Sequence, residues 1–195
     1  MRITGGQWRG RMLKTPGKGQ EIRPSADQTR ETLFNLLYHG KWKMDTNIAE
    51  DPVAGAHVLD VFCGTGSLGL EALSRGAELC IFIDSNRSSL DLARDNAEKL
   101  GAAPQSRFLL KDARRAGSRP QQTPPADLVF MDPPYGRIRV EDVLDTFAQG
   151  GWLSKNVLIL VERDKVDGPD FPKGFQVLHS HLSGRAALYF LTLKA

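Results

Sequence analysis

Short apolar runs alternate with helix-period stretches over most of this chain. HVLDVF (57–62), LCIFID (79–84), RFLLKD (107–112), DLVFMD (127–132) and VLILVER (157–163) each read as a strand. Between them, SLGLEALSRG (67–76) and NRSSLDLARDNAEKLG (86–101) carry helical spacing, with Asn86 as N-cap and Gly76 and Gly101 as stops. A further helix is expected near 141–149. Strands separated by helices predict βαβ units, hence a parallel sheet covered on both faces. FQVLHSHL and AALYFLTL close the chain around a Ser-Gly-Arg turn, which predicts an antiparallel pair. The fold class is therefore α/β: an open, Rossmann-like sheet, mostly parallel with a C-terminal antiparallel strand.

The first forty residues follow another pattern. RIT, GGQWRG and RMLK suggest a small hairpin within residues 1–15. SADQTRETLFNLLYHG (25–40) then reads as a helix with Ser25 as N-cap, Gly40 as stop and an apolar face of Leu33, Phe34, Leu36 and Leu37. The implied organisation is a hairpin-helix extension over 1–40, a turn-rich connection over 41–55 and the sheet domain over 56–195. The connection and the Arg/Pro-rich stretch 113–125 match no motif and read as loops.

Composition narrows the class. A chain of 195 residues with 41% hydrophobic and 25% charged residues suits one soluble domain. No apolar run approaches the ~20 residues of a membrane span. The opening MRITGGQWRGRMLKTP lacks the apolar core of a secretory signal. Cys63 and Cys80 form no C-x-x-C, and the four histidines form no ligand motif, so a reducing cytoplasm and no metal are expected. The net charge of +3 is unevenly spread: residues 1–43 carry +6 and the remainder −3. With Trp8 inside the basic run, this segment reads as a surface for a polyanion.

The candidate chemistry lies at the carboxyl ends of the strands, where ligands bind on open α/β sheets. Strand one runs through Asp60 into Gly64-x-Gly66-x-x-Gly69, strand two ends at Asp84, strand three at Asp112 and strand four at Asp132. The glycine spacing fits a dinucleotide, another nucleotide cofactor, or neither. Asp84 is placed to accept ribose hydroxyls, and Asp112 an adenine amino group. Asp60 sits where a pyrophosphate would approach and would repel it. A carboxylate there suits S-adenosylmethionine, which carries no phosphate but an ammonium and a sulfonium. It would also serve simply to orient the loop.

Asp132-Pro133-Pro134-Tyr135 is the most specific segment. The prolines remove two backbone donors, leaving carbonyls and a carboxylate as acceptors beside an aromatic face. An exocyclic amino group on a planar base, taken out of its stack, needs such a pocket.

Here the chain resembles the class I S-adenosylmethionine-dependent amino-methyltransferases, and more narrowly the RsmD-type ribosomal RNA guanine-N2 methyltransferases. The blocks RPSADQTRETLFNLL, LDVFCGTGSLGLEALSRGA and VFMDPPYG carry the match, with the opening MRITGGQWRGRMLKTP. The resemblance implies methyl transfer to the N2 amino group of a guanine in 16S ribosomal RNA, within a small-subunit particle, by a monomer that leaves S-adenosylhomocysteine. It implies that Asp60 and the loop Phe62, Cys63, Gly64, Thr65 and Gly66 hold the methionine part of the cofactor. Asp84 and Ser85 would hold the ribose, Asp112 and Ala113 the adenine. Asp132, Pro133, Pro134 and Tyr135 would hold the guanine, with Asp132 also near the cofactor. Arg2, Trp8, Arg9, Arg11, Lys14, Arg23 and Arg30 would meet RNA. Arg114, Arg115, Arg119, Arg137 and Arg139 would extend that surface. DNA adenine or cytosine methylation and protein glutamine methylation share parts of this pattern.

Overall fold

Five parallel strands lie side by side, and the central ones, rich in Val, Ile, Leu and Phe, are buried on both faces. The computed structural model describes residues 1–17, 27–40, 42, 46–134, 136 and 138–194. The strands are β1 (His57–Val61), β2 (Leu79–Asp84), β3 (Ser106–Leu110), β4 (Ala126–Met131), β5 (Leu153–Asp164), β6 (Phe175–Ser183) and β7 (Ala186–Leu193). The helices are α1 (Asp27–His39), α2 (Ser67–Ser74), α3 (Arg87–Leu100) and α4 (Val140–Gln149). The sheet order is β3-β2-β1-β4-β5-β7-β6. Strand β7 pairs antiparallel with both β5 and β6, as the C-terminal turn implied. The order reverses between β1 and β4, which opens a crevice beyond their carboxyl ends.

Side-chain alternation divides the core. Val58, Cys80, Phe82, Phe130, Leu160 and Phe190 face the layer holding α1, α2 and α3. Leu59, Ile81, Val129, Met131 and Val161 face α4, together with Ala113, Ala116 and Trp152. The stretches that matched no motif are built into these layers. Trp42 is buried, donates Nε1–H to the Leu36 carbonyl at 2.9 Å and lies 5.6 Å from the Phe190 ring. Trp152 donates to the Gly117 carbonyl at 2.7 Å.

The N-terminal hairpin is integral to this core. Arg2 and Met12 form its bridge, and buried Ile3 and Leu13 join the same cluster as Leu70 and Leu73. Its backbone is anchored by polar side chains of α2 and α3. Glu71, fully buried, accepts from the Thr4 amide at 2.8 Å, the Thr4 hydroxyl at 2.8 Å and the Gly5 amide at 2.7 Å. Ser74 accepts from the Trp8 amide at 3.0 Å. Asn96 accepts from the Lys14 amide at 2.7 Å and donates to the Lys14 and Thr65 carbonyls at 3.1 Å. Buried polar side chains are retained where their hydrogen bonds are met, and here they tie the hairpin to the glycine loop.

Candidate active site

The glycine loop owes its shape to backbone conformation. After β1 the chain passes Phe62 at φ 64°, the one non-glycine residue with positive φ among those described. Gly64 and Gly66 follow at φ 53° and 74°. At Gly69 the limit is space: a Cβ would lie 2.4 Å from Cys80 Sγ and 2.5 Å from Phe82 Cε1. The third glycine thus lets α2 lie close against β2.

Three of the four aspartates share one electrostatic environment. Asp60 is buried within β1, and its Oδ2 accepts the Gly69 amide hydrogen at 2.9 Å. Burial, reinforced by the charges of Asp132 and Asp84, raises its pKa to about 8 despite that bond. Asp84 accepts from the Gly64 amide at 3.0 Å through Oδ2 and from the Asn86 amide at 2.8 Å through Oδ1. Each oxygen keeps a further lone pair for a hydroxyl. Ser85 is exposed beside it.

The loop's donors discriminate between ligands. Cys63 N–H is bound to the Ile83 carbonyl at 3.1 Å and Gly66 N–H to the Cys63 carbonyl at 2.7 Å. With Gly64 donating to Asp84 and Gly69 to Asp60, four amides are engaged inside the protein. A pyrophosphate needs such amides free at the helix N-terminus. Burial, then the Asp60 charge, pushes the Cys63 and Cys80 thiols well up, so neither is poised as a nucleophile.

Asp132 follows β4, half-buried, with Pro133 buried and Pro134 exposed. A cleft of about 260 Å³ lies against the two prolines, walled by Ile138, Arg139, Glu141 and Arg163. Arg163 is fixed there by Glu141 Oε1 at 3.3 Å and by the Asp167 and Asp170 carbonyls at 3.1 and 3.2 Å. On the opposite face Asp132 shares a small cavity with Leu33 of α1, Leu68 and Glu162. Tyr135, Arg137, Arg23 and the N-cap assigned to Ser25 lie outside the described residues.

Several expectations need correction. Strand β3 stops at Leu110, and Asp112 instead caps a short turn over Ala113–Arg115. Its carboxylate grips the Arg114 guanidinium at 2.7 and 3.0 Å, and that hydrogen bond holds it below the usual carboxylate range. Arg114 is thus paired within its own loop, as the equally exposed Lys14 is with Asp95 at 2.8 Å. Arg119 likewise donates to the Gly151 carbonyl at 2.7 Å and to the Thr123 carbonyl, which fixes the loop. Arg30 is fully buried, bound to Asp27 at 2.8 Å and to the Arg2 carbonyl, with Nε 3.9 Å from Glu71. No RNA or cofactor reaches it; it joins α1 to the hairpin and α2. Trp8 is half-buried against the core, whereas Arg2, Arg9, Arg11 and Lys14 are exposed.

A family described as Conserved hypothetical protein 95 matches residues 1–192. The chain belongs to this family. It is 32% identical over 188 residues to the ribosomal RNA small subunit methyltransferase D of Escherichia coli, covering 96% of this chain and 87% of that protein. The Haemophilus influenzae protein of the same name is 31% identical over 185 residues, covering 94% and 89%. The solved structure of the putative methyltransferase yhhF from Escherichia coli superposes with a TM-score of 0.79 at 32% identity, covering 100% of this chain and 98% of that one. The family fold is a class I methyltransferase sheet, as the strand order shows.

Sequence reasoning missed Glu71, Ser74 and Asn96, which anchor the hairpin. Their signal was present: each is a polar residue on a helix face that otherwise reads as core. It also passed over Glu162, a carboxylate ending the apolar run of β5.

Proposed function

We propose that this chain transfers a methyl group from S-adenosylmethionine to the exocyclic N2 of a guanine in small-subunit ribosomal RNA. The supporting observation is the cluster of Asp60, Asp84 and Asp132 at the switch point, around a loop in which the Cys63, Gly64, Gly66 and Gly69 amides are engaged within the protein. The Asp84 acceptors fit ribose hydroxyls, and an ammonium arriving beside Asp60 would favour the ionised carboxyl that burial and the neighbouring carboxylates otherwise disfavour. Asp60 faces the methionine end, Asp84 and Ser85 the ribose, and the Asp112–Ala113 backbone the adenine. The bound cofactor supplies an electrophilic methyl group.

The protein contributes position and electrostatics. Asp132 and the Pro133 carbonyl accept the two N2 hydrogens and turn the nitrogen lone pair out of conjugation. The amino proton becomes acidic only as the new bond forms, so Asp132 need not be a strong base to take it. Tyr135 provides the stacking face. The exposed Arg2, Arg9, Arg11 and Lys14 supply sequence-independent phosphate contacts.

The test is transfer of labelled methyl from S-adenosylmethionine to small subunits lacking modifications, with free 16S RNA alongside, followed by nucleoside analysis. N2-methylguanosine is the expected product. Label in another base, or in protein, would replace this reading.

A further inference from the structure

The register between β4 and β5 places a second carboxylate beside the one assigned to catalysis. Met131 pairs with Val161, so continuing that register by one residue brings Asp132, just past the end of β4, beside Glu162, two residues before the end of the parallel strand β5. Such strands lie about 4.8 Å apart. Alternation points both side chains to one face: Phe130 and Leu160, two residues earlier on each strand, belong to the same core layer. Both carboxylates line one small cavity with Leu33, Leu68 and Leu188. Glu162 is half-buried where it lines that cavity.

We propose that Glu162 is a specificity-determining residue that reads guanine by accepting its N1–H while Asp132 accepts from N2. This rests on the guanine reading above. On its Watson–Crick edge guanine presents N1–H and the N2 amino group on adjacent positions, a row of donors. Two neighbouring carboxylates offer a matching row of acceptors. Adenine presents a lone pair at N1, which a carboxylate repels. A site built around a hydrogen bond to an N–H rejects an analogue lacking it far more strongly than an apolar pocket rejects a misfit, because its polar group is left unpaired. Single-stranded bases are read on this edge. Accepting from N1–H also pushes electron density into the ring and toward the attacking nitrogen.

The experiment compares RNA carrying guanine with RNA carrying 2,6-diaminopurine at the target position. The analogue keeps the 2-amino group but has an unprotonated N1. The wild type is expected to prefer guanine by at least about 100-fold in kcat/KM. Glu162→Gln puts a carboxamide donor opposite N1. It is expected to lower activity on guanine by about 10-fold or more and to bring the two substrates within about 10-fold of each other. S-adenosylmethionine affinity by calorimetry stays at the wild-type value. Glu162→Ala, should the glutamine variant fold poorly, is expected to narrow the same ratio.

An unchanged ratio in a folded variant overturns the role of Glu162, whatever happens to the absolute rate, because a merely structural residue would slow both substrates alike. If the wild type places no methyl on guanine N2, the underlying reading falls, and this one with it.

Discussion

Asp60 Oδ2 accepts the Gly69 amide hydrogen at 2.9 Å, joining the middle of the sheet to the first turn of α2. This buried carboxyl both orients the glycine loop and sets a pH dependence. Its pKa of about 8 lies far above that of an unfolded aspartate. Between the two values the folded protein holds a proton that the unfolded chain has lost, so this contribution to stability falls as pH rises. From pH 6 to 8 the wild type is expected to lose about 2 kcal/mol relative to Asp60→Asn, which keeps the acceptor without the charge. Denaturant unfolding at a series of pH values measures it. Parallel curves for the two proteins would remove the assignment.

Gly69→Ala is expected to destabilise the fold. Its new Cβ meets Cys80 Sγ and Phe82 before either can move aside. Overpacking of this kind costs about 1–3 kcal/mol, partly offset by about 1 kcal/mol of helix propensity. Cys80→Ala in the same chain is expected to restore part of the loss. Additive effects in that double-mutant cycle would contradict the packing account.

Glu71→Ala is expected to cost about 3–5 kcal/mol, because it takes a countercharge from the buried Arg30 and from the half-buried Arg75, whose guanidinium lies 2.9 Å from Glu71. It also removes the acceptor of the Thr4 and Gly5 amides. Hydrogen exchange at those two amides is expected to accelerate more than exchange in β1. Uniform acceleration across the chain would show that the hairpin has no separate anchor.

Asp132→Ala is expected to bind S-adenosylmethionine within a few-fold of wild type while kcat falls by about 100-fold or more. Calorimetry and single-turnover methyl transfer separate the two quantities. Wild-type turnover in this variant would sink the role assigned to Asp132.

RNA contact by the hairpin calls for point substitutions. Removing residues 1–22 also deletes Ile3 and Leu13 and strips Glu71, Ser74 and Asn96 of their partners. Arg9→Glu leaves the core intact, since the side chain is exposed. It is expected to weaken RNA binding several-fold, to flatten its salt dependence and to leave cofactor affinity unchanged. The slope of log affinity against log salt is the deciding measurement.

The alternation of apolar runs and helical spacing was enough to predict a mostly parallel sheet, its C-terminal antiparallel strand and the ligand edge. Those features follow from local patterns with periods of two and 3.6. DPPY and the glycine loop stood out because backbone freedom and acceptor chemistry are written in consecutive residues. The sequence alone also marked Asp60 near the end of β1, Asp84 at the end of β2 and Asp132 just after β4. It did not separate Asp112 from them, because capping an adjacent arginine and binding a ligand demand the same residue. Nor did it reveal that Arg30 lies inside the protein while Arg9 lies outside, since charge content carries no direction. Only the tertiary structure decided that Glu71, Ser74 and Asn96 hold the hairpin to the glycine loop and that Glu162 stands beside Asp132. Those relations join residues distant in the chain, and strand register and helix packing, rather than any local pattern, bring them together.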